Sequence, residues 1–172
     1  MSGIKYNKGD LFGPVAKLAE PVIIPHICND VGAWGAGFVV PLGRCYPQAR
    51  TKYLEWFNGR LPNDFALGET QLVQVRQDSP IVVANMIGQH KIGFKAIRYI
   101  QLGKCLEHVA GFAMATNSQI HAPLFGAGLA GGDWNIVEEL INESWIMRGI
   151  DVTIYYLEVT LPSNWELPSG SN

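Results

Sequence analysis

The 172 residues, 48% apolar and 16% charged, are enough to bury a core without disulfide or metal staples, and their number points to one domain. A net charge of −2 and a pI near 6.1 give no basic field, which disfavours an extended nucleic-acid surface and leaves backbone amides as the main donors for any anion. Cys28, Cys45 and Cys105 form neither a C-x-x-C pair nor a Cys/His zinc pattern, MSGIKYNKGDLF has no apolar h-region, and no stretch reaches bilayer-spanning length; the chain reads as a cytoplasmic protein with reduced thiols.

In chain order, Ile4 to Asn7 reads as a short first strand, and the turn Lys8-Gly9-Asp10-Leu11-Phe12 places an acidic side chain directly after it. Asp10 suits two roles, acceptor for the exocyclic amine of a purine or cap of a helix over Pro14 to Glu20. The apolar run Val22-Ile23-Ile24 predicts a buried strand, which leads through His26, Cys28, Asn29 and Asp30 into a loop with Gly32, Gly35 and Gly37. A helical segment over Gly37 to Cys45 is expected to be interrupted by Pro41 and Gly43. Pro47 then opens a firmer helix through Phe57.

Residues Glu69 to Arg76 alternate as a strand does, and Ile81 to Ile87 is a near-continuous apolar strand ending in Gly88, Gln89 and His90. The loop Gln89 to Arg98 carries Lys91, Lys95 and Arg98, which are read as solvated charges or as ligand contacts. A long helix is expected over Ala96 to Thr116, with Ile100, Cys105, Val109 and Phe112 facing inward and Asn117-Ser118 as its stop. The strand Gln119 to Phe125 runs into GAGLAGGDW. An amphipathic helix from Asn135 to Met147 follows, capped by Asp133 and turning Ile136, Val137, Leu140, Ile141 and Trp145 inward. Asp151 to Val159 is a β-prone last strand, and a mobile tail is expected from Pro162, with Trp165 as its one anchor.

Two strand-to-helix glycine loops are therefore present, the one holding Gly32, Gly35 and Gly37 and the one holding Gly126, Gly128 and Gly131. Glycine allows φ > 0 and removes the Cβ atom, so that amide N–H groups can close on anionic oxygens at the carboxyl ends of buried strands. The second loop satisfies G-x-G-x-x-G, but the 41 residues past Gly131 hold room for one βαβ unit, so a dinucleotide dehydrogenase would need most of its sheet before the motif. Neither loop ends in Gly-Lys-Ser/Thr as a triphosphate site would. The pair reads either as the two sides of a grip on a diphosphate-bridged ligand or as two tight turns.

The order GDLF, HICNDVGAWGAGF, a strand ending NMIGQ, HAPLFGAGLAGGDW and VTIYYL resembles a macrodomain. Within that superfamily it is similar to the branch holding the yeast-type ADP-ribose 1''-phosphate phosphatase and the terminal ADP-ribose glycohydrolase. The resemblance covers about Ile4 to Leu157, so residues 1–161 form the expected macrodomain and 162–172 the tail. It implies a three-layer α/β/α fold with a central mixed, mostly parallel sheet and a cleft for ADP-ribose. On matched positions, Asp10 with Leu11 would take the adenine and Asn29 would face the distal ribose. Gly32, Ala33, Trp34, Gly35, Ala36, Gly37 and Phe38 would wrap that ribose and its phosphate, and Gly126, Ala127, Gly128, Leu129, Ala130 and Gly131 would hold the diphosphate. One departure stands out. The glycohydrolases use a lysine at the strand end and an aspartate after the second loop's Gly-x-Gly-Leu, where this sequence has Gln89 and Ala130.

A phosphatase needs oxyanion contacts and a proton donor for the leaving sugar oxygen. His26 has the chemistry for proton transfer and is equally readable as a structural histidine; Asn29 can orient a hydroxyl or water; Asp133 is a base if its loop folds over the distal ribose, and otherwise a helix cap. No His/Asp/Glu cluster suggests a metal, and no cofactor is expected. The expected function is hydrolysis of the phosphomonoester of ADP-ribose 1''-phosphate without a metal. The alternatives are a non-catalytic reader of ADP-ribose and a glycohydrolase working without the lysine and aspartate. The expected partners are a small molecule and ADP-ribosylated macromolecules, with no membrane.

Overall fold

The computed structural model describes residues 3–60, 63–158, 161 and 166. Val159, Trp165 and, apart from residue 166, the expected tail 162–172 lie outside them. The elements are β1 (Lys5–Lys8), α1 (Phe12–Ala16), β2 (Val22–Asn29), α2 (Val39–Cys45), α3 (Pro47–Phe57), β3 (Thr70–Gln74), β4 (Ile81–Gln89), α4 (Tyr99–Thr116), β5 (Gln119–Pro123), α5 (Trp134–Ser144), a 3₁₀ turn (Ile146–Arg148) and β6 (Val152–Tyr156). They build one six-stranded sheet in the order β1-β6-β5-β2-β4-β3, parallel throughout except for β3, which runs antiparallel to β4.

Because strand side chains alternate, each central strand feeds two cores. Val22 and Ile24 of β2 and Val83 of β4 pack with Leu11, Val15, Leu42 and Ala49 under α1, α2 and α3. Ile23, Ala84 and Met86 pack on the other face with Leu102, Leu106 and Val109 of α4 and Val137 and Ile141 of α5. Each fully buried aliphatic side chain contributes about 1.5–3 kcal/mol, so helices are held to both faces and the three layers follow. This is the α/β/α architecture expected from the sequence.

Several local expectations change. Pro41 does not interrupt α2, because it is the third residue of that helix, where its missing N–H has no intrahelical acceptor to lose. Gly43 is also helical, and a Cβ there would lie 3.1 Å from Trp34 Nε1, so glycine leaves room for the indole. Helix α1 is shorter than Pro14 to Glu20 and starts at Phe12, whose N–H donates to Asp10 Oδ1 at 3.0 Å. Helix α4 starts at Tyr99 and not at Ala96, because Ala96 N–H donates to Ala130 O and Ile97 bridges Gln89. Ile100 and Ile136, expected inside, are 75% and 43% exposed.

The sheet also opens at its centre. Strands β2 and β5 pair only at Val22↔Gln119 and Ile23↔Ile120. Gln119 N–H donates to Pro21 O at 3.0 Å, so in this parallel register Pro21 and residues 23 and 25 of β2 turn their main-chain groups toward β5, and residues 119, 121 and 123 of β5 toward β2. Positions 25 and 123 are prolines, which have no N–H to continue the ladder. The two strands stay paired to β4 and β6 on their outer sides but part from each other toward their carboxyl ends.

Candidate functional site

The parting of β2 and β5 produces a cleft of about 570 Å³. It lies where the strand order reverses, with β4 and β3 on one side of β2 and β5, β6 and β1 on the other, the place at which open α/β sheets take ligands.

One wall is the glycine loop after β2, and Asn29 shapes it. Its Oδ1 accepts from the N–H groups of Val31 and Ala33, both at 3.0 Å, and from Tyr53 Oη at 2.9 Å, while its Nδ2 donates to Ala33 O at 2.7 Å. Trp34 is pinned by its Nε1 donating to Val39 O. Among the described residues the N–H groups of Trp34, Gly35, Ala36 and Gly37 donate to no protein acceptor, which makes them available to an anion. The opposite wall is the loop after β5, closed by Gly131 N–H to Gly128 O and Gly132 N–H to Gly126 O. Gly126 has φ +81°, and a Cβ there would meet Ile97 at 2.8 Å and Ile27 at 3.2 Å; only glycine fits. The walls meet at Gly37 and Leu129.

Of the residues singled out from the sequence, Asp10, Leu11, His26, Ala36, Gly37, Phe38, Gln89, Gly126, Gly128, Leu129 and Ala130 line this cleft. Gly32, Ala33, Trp34 and Gly35, like Ala127 and Gly131, lie in the two loops but outside the lining. Gln89 donates from Nε2 to Lys91 O. Sequence reasoning missed Phe12 and Tyr155. Phe12 stacks on Phe38 at 5.6 Å and 11°, tying α1 to the first loop, and Tyr155 Oη is 3.0 Å from His121 Nδ1. The signal for Tyr155 was its place at the carboxyl end of a parallel strand.

The three candidate catalytic residues do not converge. Only His26 lines the cleft, and its Nε2 lies 2.6 Å from Asn85 Oδ1. Asn85 Nδ2 donates to Ala49 O and Gln71 Oε1, so its oxygen faces the imidazole and the proton of neutral His26 sits on Nε2. Burial pushes the imidazole pKa down to about 4, opposed in part by the bond with Asn85. Asn29 spends its amide on the loop. Asp133 is exposed and caps α5, its Oδ1 accepting from Asn135 N–H at 2.9 Å.

The site is thus a cleft between two glycine loops at the carboxyl ends of the central strands of a six-stranded mixed sheet clothed in helices. No protein-family model matches the chain. A macrodomain protein from Streptomyces coelicolor is 41% identical over 88% of this chain and 97% of its own, with a TM-score of 0.76. A protein of unknown function from Bacteroides thetaiotaomicron is 40% identical over 90% of this chain and 98% of its own, with a TM-score of 0.81. Among curated proteins, the ADP-ribose 1''-phosphate phosphatase of Lodderomyces elongisporus is 23% identical over 164 residues, spanning 90% of this chain and 99% of that protein. The chain belongs to the macrodomain family.

Proposed function

We propose that the protein binds ADP-ribose in this cleft and hydrolyses the phosphomonoester of ADP-ribose 1''-phosphate. The observation that carries the binding is the pair of facing glycine loops, each offering unspent backbone N–H groups across the gap between β2 and β5. The loops would hold the diphosphate and the distal ribose phosphate, and Asp10 the adenine amine. The name of the Lodderomyces elongisporus relative supports the phosphatase reading.

The chemistry asked of these residues is electrostatic. Backbone donors aimed at the phosphoryl oxygens stabilise developing charge without reorganising, and each such contact is worth about 2.7–4 kcal/mol in a dry site. His26 has its Nε2–H committed to Asn85 and holds no transferable proton at neutral pH, so its part is to brace the wall beside Trp34 and Phe38. The leaving sugar oxygen would take its proton from solvent. The proposed reaction is hydrolysis by water without a metal.

A second reading is favoured by one observation: His26, Asn29 and Asp133 are each engaged structurally, which suits a reader of ADP-ribose that does no chemistry. Phosphate release from ADP-ribose 1''-phosphate, measured beside ADP-ribose binding, separates the two. Release above the uncatalysed rate establishes the phosphatase, binding alone makes the protein a reader, and neither signal overturns both.

A further inference from the structure

Residues 89–98 form a strap that touches both walls of the cleft. On the side of the first glycine loop, Asp30 N–H donates to Gln89 O at 3.1 Å; Asp30 Oδ1 accepts from Lys91 N–H at 2.6 Å, and Oδ2 lies 2.7 Å from His90 Nδ1. On the side of the second, Ala96 N–H donates to Ala130 O at 3.1 Å, and a Cβ on Gly131 would meet the Phe94 ring at 2.7 Å and Lys95 N at 2.9 Å. Within the strap His90 N–H donates to Ala96 O, and Arg98 Nη1 donates to the carbonyls of Lys95, Ala96 and Ile97. The carboxylate of Asp30 is thus joined to the second loop through an unbroken set of hydrogen bonds.

The strap is held under backbone strain. Lys91 and Lys95 both stand at φ +59°, flanking Gly93 at +108°. Non-glycine residues keep such angles only where their surroundings over-determine them. At Lys91 that determinant is Asp30, whose oxygen takes the N–H; at Lys95 it is the next residue's anchor on the second loop, Ala96 N–H to Ala130 O. Burial works against the Asp30 carboxylate, but the Lys91 N–H and His90 outweigh it and hold its pKa below the usual value.

We infer that Asp30, seconded by His90, is a positioning residue that sets the spacing of the two glycine loops through the strap, and so governs any ligand that spans both walls. Asp30 does not line the cleft and need touch no ligand. The spacing itself is a property of the fold; its effect on ADP-ribose rests on the binding proposed above.

The test reads the coupling first without ligand. Amide hydrogen exchange is followed at Ala96, Gly131 and Gly132, which are bonded on or against the second loop, with Ile24 and Val83 as core controls. In Asp30→Ala these three amides are expected to exchange at least tenfold faster than in the parent, with the controls unchanged. Asp30→Asn, which keeps an oxygen for Lys91 N–H, is expected to restore most of the protection, and His90→Ala to show a smaller loss. Unchanged exchange at all three amides in Asp30→Ala overturns the inference, as does loosening that reaches the controls equally. Should Asp30→Ala fail to fold, His90→Ala decides by the same amides. Calorimetry then compares ADP-ribose with AMP: a loss of tenfold or more in ADP-ribose affinity with AMP changed less than twofold is expected for Asp30→Ala, and equal losses contradict a spacing role. A parent that binds neither nucleotide overturns the proposed function and leaves the exchange result to judge Asp30.

Discussion

His26 Nε2 and Asn85 Oδ1 lie 2.6 Å apart across β2 and β4, both side chains almost wholly inside the protein. Asn85 reaches on from there to Ala49 O and Gln71, so the pair fastens the cleft wall to α3 and β3.

Stability should fall with acid through this pair. His26 has a pKa of about 4 in the fold and an ordinary one near 6.5 unfolded. Between those values the unfolded chain binds the extra proton, so the contribution is complete above the upper pKa and is lost as pH falls toward the lower, up to an order of 3 kcal/mol. Urea unfolding at about pH 7 and about pH 4.5 should show His26→Gln losing less stability on acidification than the parent. Identical losses would mean that His26 is not held neutral. Phosphate release should survive in the same variant, because the imidazole is assigned no proton transfer.

ADP-ribose should raise the melting temperature, and AMP should do so less, because only the former reaches both loops. At a hundred times Kd, one ligand adds about 2.7 kcal/mol, or about 5–10 °C for a domain of this size. Scanning calorimetry with each ligand measures it. No shift with millimolar ADP-ribose removes the proposed site.

Gly35 and Gly37 separate ligand from fold. Gly35 has no positive φ and open space within 4 Å of an added Cβ, whereas Gly37 stands at φ +76° with Leu129 Cδ1 3.3 Å from the added atom. Gly35→Val is therefore expected to keep the parent melting temperature and lose ADP-ribose. Gly37→Val should lose ADP-ribose and also about 1–2 kcal/mol of stability through its left-handed backbone. Affinity equal to the parent's in folded Gly35→Val would reduce this loop to a turn.

Asp10 has two roles to pull apart. Its Oδ1 caps α1 at Phe12 N–H, so Asp10→Ala should cost stability, about 1 kcal/mol, as well as ligand. Asp10→Asn keeps the capping oxygen but turns its amide toward a donor on the adenine. It should hold the melting temperature and weaken ADP-ribose by about 1.5–3 kcal/mol, leaving ribose 5-phosphate unchanged. Equal weakening of both ligands would make Asp10 structural only.

Strand runs, glycine loops and the capping Asp133 were legible in the sequence because each is a local matter: apolar continuity makes a buried strand, a missing Cβ makes a tight turn, a short acidic side chain reaches an N–H two residues on. The layer order was what the macrodomain resemblance implied, and eleven of the residues singled out line the cleft. What the chain does with its polar side chains was decided only in three dimensions. His26 is neutral because the wall that buries it strips away water, and its proton sits on Nε2 because Asn85, 59 positions away, brings an acceptor there. Asn29 is a brace because the loop it precedes curls back onto its amide and Tyr53 arrives from α3. The two central strands part where Pro25 and Pro123, each unremarkable alone, leave the parallel ladder without an N–H donor on either side. Desolvation and hydrogen-bond pairing depend on which distant groups arrive at a site, and a residue's own neighbours in sequence carry no record of that.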